Sequence, residues 1–165
     1  MAATRHLELW IAAAIVAFDQ ASKALVRSRF ELFEGTTVIP GVFDLTRVHN
    51  TGAAFGMLNG VEFPYKTVVL SLVATAALVG LGVFAATLPA VQWLSRWGLA
   101  LIIGGAAGNL IDRIAFGYVT DFVDVYWQGW HFWAFNVADA AITVGVALMI
   151  LDMLPTGRHR VSRTL

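Results

Sequence analysis

Cysteine is absent from the 165 residues, which excludes disulfides, thiolate metal sites and cysteine nucleophiles. Charge is scarce too: Asp, Glu, Lys and Arg make up 13% of the chain, against roughly 25% in soluble domains, so a soluble globule is excluded. There is no cationic surplus, since eleven Lys plus Arg balance eleven Asp plus Glu. Nucleic acid, which needs clustered positive charge, is therefore not an expected partner. Histidine is limited to His6, His49, His131 and His159. No two have the spacing of HExxH, and with no thiols beside them no metal is expected. A GxSxG motif is missing, and Ser22 adjoins Lys23 at a spacing that points the two side chains apart on a helix, so serine chemistry has no support.

What the chain does have is apolar length. Hydrophobic residues are 58% of it and the mean hydropathy is +0.71, which implies an integral membrane protein. No charged residue falls between Lys66 and Arg96, and a bilayer core takes about 20 apolar residues per helix, so residues 65–87 read as a span. Three further spans are expected at about 7–27, 95–113 and 137–154. Residues 7–18 also have the length of the apolar part of a cleaved signal peptide, with Ala21 to Ala24 loosely like a cleavage site, but Arg5 alone is a weak basic flank. The span reading fits the aromatics better: Trp10, Trp93 and Trp97 fall at one interface and the aromatics of 116–135 at the other.

The expected fold is thus an all-α integral membrane protein, one membrane domain over 1–165. It has four transmembrane helices and a small extracytoplasmic β subdomain between helices 1 and 2. External loops fall at about 30–64 and 114–135. In the first, Phe43 and Leu45 alternate with Asp44 and Thr46 as in a short strand. The second holds nine aromatic residues and is expected to lie along the membrane surface. Arg5, Arg96, Arg158, Arg160 and Arg163 share the side of both termini, which makes the termini cytoplasmic. Glu31, Glu34, Asp44, Glu62, Asp121 and Asp124 fall on the other side, although Arg27, Arg29 and Arg47 there weaken the count.

This topology gathers polar residues from three helices at one depth near the outer leaflet: Asp19 and Lys23; Asn109, Asp112 and Arg113; Asn136 and Asp139; and Asp121 beside them. Ionisable residues within spans cost roughly 2.5–3.5 kcal/mol each on insertion scales and by default signal function. Plainer readings exist for each. Asp19 and Lys23, at i,i+4, can be a structural ion pair. Asn109, Asp112 and Arg113 can be a hydrogen-bond cluster that ends a helix. Gly104 and Gly108 form a small-xxx-small face suited to close packing, and Asn136 with Asp139 has the spacing of an N-cap and its N3 partner. His49 and His131 read as polar surface or interface residues, and Asp124 as a solvated loop carboxylate. Against those readings stands a count. Two cations, Lys23 and Arg113, face at least four carboxylates, Asp19, Asp112, Asp121 and Asp139. Close carboxylates in a low dielectric share a proton, which is the resource of an aspartic hydrolase.

Five motifs in order, Asp19-Gln-Ala-Ser-Lys23, Asn50-Thr-Gly-Ala-Ala-Phe55, GGAAGNLIDR from Gly104 to Arg113, Val119-Thr-Asp121-Phe122 and Phe135-Asn-Val-Ala-Asp139, resemble the signal peptidase II family of bacterial membrane aspartic proteases. The resemblance implies Asp121 and Asp139 as the catalytic pair, over the local rivals Asp124 and Asp112 that spacing alone leaves open. It implies that Asn50, Gly105, Asn109, Asp112, Arg113 and Asn136 shape the site and hold the substrate backbone, with Asp19 and Lys23 supporting. It further implies a diacylglyceryl-modified prolipoprotein as substrate, cut before its lipidated cysteine to release the signal peptide. The expected setting is the bacterial cytoplasmic (inner) membrane, in contact with lipid, as a monomer with no cofactor or metal. A small ion-coupled carrier is the rival of another class. Four short helices without a repeat leave it little room.

Overall fold

The computed structural model describes residues 2–52, 57, 58, 60, 61 and 63–154, with side chains from His6 onward. Ala53 to Phe55 of the second motif, Glu62, His159 and the tail arginines Arg158, Arg160 and Arg163 lie outside the described residues, as does the side chain of Arg5.

The four apolar segments are helices: α1 (Ala2–Arg29), α2 (Lys66–Thr87), α3 (Trp93–Phe116) and α4 (Val137–Met153). The first three are long and apolar enough to cross a membrane. The fourth has 17 residues, the lower end of the range that spans a bilayer core. α1 and α3 outrun their expected limits because their ends carry helix formers and no Pro, and α3 stops at Gly117, whose φ of 83° makes the left-handed cap that glycine adopts without strain.

α3 is the hub, packing on α4, α1 and α2 in decreasing order. Its glycines allow this. A Cβ on Gly98 would strike the Gly145 carbonyl of α4, and a Cβ on Gly145 would strike the Gly98 carbonyl in return. Gly105 meets the Ala138 carbonyl, and Gly104 meets Ala12 of α1. Such close backbone approach is how helices associate where lipid supplies no hydrophobic driving force. Gly104 therefore packs as expected, whereas Gly108 clears room for the Asp19 carboxylate. α2 buries almost nothing: Val68, Leu72, Val79 and Val83 are all exposed, as lipid-facing residues of a spanning helix would be.

The β structure is larger than expected. β1 (Gly35–Ile39), β2 (Phe43–Asn50), β3 (Val119–Trp127) and β4 (Trp130–His131) form one antiparallel sheet in the order β1-β2-β3-β4. It is not confined between helices 1 and 2, because 114–135, expected to lie on the membrane surface, contributes two strands. The sequence concealed β3 for a physical reason. Val119 to Phe122 are all buried, and a strand covered on both faces shows no polar-apolar alternation. Pairing sets His49 against Thr120 and Val48 against Asp121, after a bulge between Leu45 and Val48. Arg47, in that bulge, donates from Nη1 to the carbonyls of Phe30 (3.0 Å) and Arg27 (3.4 Å), closing the end of α1.

At the opposite end of the bundle Arg96 is buried inside α3. Its guanidinium grips Glu8 of α1 with two nitrogens (2.5 and 2.8 Å) and donates to the Leu88 carbonyl after α2 (2.8 Å). Arg96 is therefore a bidentate ion pair that ties three helices together and not a free loop cation. Ser95 and Asp152 add a link from α3 to α4 (2.5 Å).

Candidate active site

The polar residues singled out in the sequence converge where α1, α3, α4 and the β2-β3 ladder meet. Asp19, Lys23, Asp112 and Asn136 are fully buried. The Nζ of Lys23 lies 2.8 Å from Asp19 Oδ2 and 3.4 Å from Asp112 Oδ2, so the expected ion pair is a triad. Asp19 Oδ1 in turn accepts from the backbone N–H of Ala138 (3.0 Å), joining α1 to the first turn of α4.

Three asparagines then face two carboxylates. Asn50 Nδ2 donates to Asp121 Oδ2 (3.0 Å) and Asn136 Nδ2 to Asp121 Oδ1 (2.6 Å). Asn109 Nδ2 donates to Asp139 Oδ1 (2.8 Å). Each amide has one orientation, because a fixed donor holds its oxygen: the Gly52 N–H on Asn50 (2.9 Å), Lys23 Nζ on Asn109 (2.8 Å) and the Asp139 N–H on Asn136 (3.0 Å). With the oxygens occupied, only the NH2 groups can point at the carboxylates. Asn136 and Asp139 also form a complete capping box on α4, the Asn136 N–H donating to Asp139 Oδ2 (3.3 Å). The expected N-cap is thus real and serves the site as well: Asn136 touches both Asp121 and Asp139.

The two aspartates open on a cleft of about 620 Å³. Asn50, Asn109 and Arg113 share its polar wall, Ala74, Ala106, Ala140 and Val144 its apolar one, and Phe132 to Phe135 its rim. Arg113 reaches from α3 to the Gly52 carbonyl (2.9 Å), fastening the loop after β2. Asp19, Lys23, Gly105, Asp112 and Asn136 stand behind this wall and position it. Gly105 does so by letting α4 approach at Ala138, next to Asp139. Burial, and after it the negative charge of Asp139, raises the Asp121 carboxyl to about 7, with the hydrogen bonds from Asn50 and Asn136 pulling the other way. A carboxyl that titrates near neutrality in a cleft can hold or release a proton at working pH.

Asp124 is elsewhere. Three residues from Asp121, it projects from the opposite face of β3 and contacts His131 Nδ1 at 2.9 Å. His49 stacks on Tyr118 at 3.6 Å, its pKa held below the ordinary value by burial and by Arg47 and Arg27. Three participants escaped the sequence reading. Gln20 Nε2 donates to the Gly108 carbonyl (3.0 Å) and to Asp112 (3.3 Å), Arg27 Nη1 reaches Asp112 (3.4 Å) and Thr120 Oγ1 (3.1 Å), and the Thr120 N–H donates to Asp112 Oδ2 (2.9 Å). Arg27 was legible: Asp19, Lys23 and Arg27 recur at intervals of four on one helix face.

Residues 11–155 match the sequence profile of the family described as signal peptidase (SPase) II. The chain belongs to that family. Its relatives include a lipoprotein signal peptidase of Solibacter usitatus, 42% identical over 90% of this chain and 91% of that protein. Another, from Geobacter sulfurreducens, is 46% identical over 86% of this chain and 88% of that one. A solved bacterial membrane enzyme superposes with a TM-score of 0.80 at 29% identity, covering 97% of this chain and 94% of its own. A second gives 0.79 at 26% identity, over 90% and 93%. Membership of the signal peptidase II family makes the chain a protease, and its long apolar helices accord with a membrane enzyme.

Proposed function

We propose that this chain is a membrane aspartic endopeptidase that removes the signal peptide from diacylglyceryl-modified prolipoproteins, cutting before the lipidated cysteine. The observation that carries this reading is that Asp121 and Asp139, from different elements, are joined through Asn136 at the polar wall of a largely apolar cleft. The relatives' name, lipoprotein signal peptidase, supports the substrate.

The pair carries one proton. The ionised carboxylate takes a proton from a water, whose oxygen attacks the scissile carbonyl carbon, while the protonated carboxyl gives its proton to the carbonyl oxygen. Collapse of the tetrahedral intermediate breaks the C–N bond as the amine takes up the first proton and a hydroxyl of the intermediate returns the second to the carboxylate that gave it, which restores one proton on the pair. The three asparagines orient both carboxyl groups without adding charge. Arg113 and the Phe132 to Phe135 rim border the place where the peptide would lie, and the apolar wall suits the diacylglyceryl chains.

In this reading all four helices cross the cytoplasmic membrane, with both termini cytoplasmic and the sheet and site at the outer leaflet. Trp127, Trp130 and Trp133 are exposed on the sheet and its following loop, at home in a membrane interface, with Trp10, Trp93 and Trp97 toward the other end. The protein is proposed to act as a monomer, without a cofactor. The deciding experiment is cleavage of a diacylglyceryl-modified prolipoprotein by the purified protein in detergent, beside Asp121→Asn, Asp139→Asn and an unlipidated substrate. Cutting of the lipidated form by wild type alone is expected. Substantial residual activity in either folded variant overturns the dyad.

A further inference from the structure

Asp121 is only as well placed as the residue before it. Thr120 is fully buried and held at every polar group. Its N–H donates to Asp112 Oδ2 (2.9 Å), its Oγ1 accepts from Arg27 Nη1 (3.1 Å) and its carbonyl accepts from Asn136 Nδ2 (3.3 Å). Arg27 is itself fixed, with its guanidinium 4.4 Å from the centre of the Phe116 ring and Nη1 shared with Asp112 Oδ1 at 3.4 Å. Lys23 one turn earlier and Gln20 reach the same Asp112 carboxylate. One helix, α1, thus presents successive donors to Asp112 and through it to the start of β3. The last of them, Arg27, touches both Asp112 and, directly, Thr120.

We propose that Arg27 and Thr120 are positioning residues for Asp121, with the Arg27–Thr120 hydrogen bond fixing β3 so that the Asp121 carboxylate meets both Asn50 and Asn136. This rests on the reading of Asp121 as one of the acting carboxylates. Neither residue lines the cleft, so their loss should change turnover and leave substrate binding alone.

The test is a double-mutant cycle on cleavage of the lipidated prolipoprotein in detergent, with melting temperatures recorded and Asp121→Asn run alongside. Thr120→Val keeps the branched shape and removes only the hydroxyl; Arg27→Met keeps the stem and removes the guanidinium. Each should lower kcat about tenfold, the scale of one lost hydrogen bond to a charged group, with KM within about twofold. The double variant should be no worse than the poorer single one, because both break one link. Thr120→Ser should restore kcat to within about twofold. Additive losses of about a hundredfold in the double variant, a loss confined to KM, or a Thr120→Ser as poor as Thr120→Val overturn the inference. If Asp121→Asn is inactive while Thr120→Val turns over like wild type, the positioning role alone fails. If Asp121→Asn stays active, the reading beneath it fails too.

Discussion

Lys23 Nζ lies 2.8 Å from Asn109 Oδ1, and this contact decides how the Asn109 amide faces Asp139. A cation can only be met by the amide oxygen, so the NH2 group is turned to the carboxylate, 2.8 Å away on α4. Lys23 thus serves the site without reaching it. Asn50 and Asn136 are fixed on the same plan by backbone N–H groups. A side chain with one acceptor and one forked donor is the simplest means of aiming a neutral donor at a carboxylate. That is a physical reason for asparagine at all three places.

Removing Lys23 should therefore damage both stability and turnover. Lys23→Met would leave Asp19 and Asp112 buried with their shared cation gone, a loss of about 3–5 kcal/mol for breaking a buried ionic cluster from one side. A melting curve in detergent should fall steeply, and cleavage should be lost. Lys23→Met combined with Asp19→Asn should melt above the single variant, because one of the stranded charges is then gone. A double variant that melts lower would mean the triad is not the source of the loss.

The pH profile tests the electrostatics of Asp121. Its carboxyl sits at about 7 because burial and Asp139 disfavour its ionised form. A mechanism that needs one proton on the pair loses activity as pH rises through that value and the last proton leaves. Asn50 favours the ionised form. Asn50→Ala should therefore hold the proton to higher pH, moving the alkaline limb of kcat/KM upward while lowering the maximum. A limb that moves down would contradict the assignment of the limb to Asp121.

The parts of this fold that were readable in advance were those with one dominant physical demand. Residues 67–87 carry no charge and form a helix long and apolar enough to cross a membrane; Asp19 with Lys23 and Asn136 with Asp139 have spacings that helices bring together. The β3 strand was not readable, since Val119 to Phe122 are covered on both faces and the aromatics after them suggested a membrane-lying segment. Thr120 and Gln20 had no signal of their own. A threonine next to an aspartate acquires its role only when α1 and β3 meet across 93 residues of chain. Arg96 looked like a loop cation because its partner, Glu8, is distant in sequence.

Asp124 supplies a control within the same strand. Its carboxylate points away from Asp121 and binds a half-exposed His131, so Asp124→Asn should keep cleavage of the lipidated substrate within about twofold of wild type, the scale of a near-neutral surface change. A loss as complete as that of Asp121→Asn would move the acting carboxylate three residues along β3 and dissolve the link through Asn136.

The glycines of α3 separate packing from positioning. At Gly98 and at Gly105 an added Cβ would strike a carbonyl of α4, that of Gly145 in one case and of Ala138 in the other. Gly98→Ala and Gly105→Ala should each cost about 1–3 kcal/mol, as overpacking does, seen as similar drops in melting temperature. Their activities should differ. Ala138 adjoins Asp139 and holds Asp19 through its N–H, so pushing α4 away there displaces the carboxylate and should lower kcat at least tenfold, since a shift of about 1 Å is enough to cost that much. Gly145 lies well along α4, where a shift leaves the capping box intact, and Gly98→Ala should turn over nearly as wild type below its melting point. Equal losses of kcat in the two variants would show that α4 moves as one rigid body and that Gly105 has no special hold on Asp139.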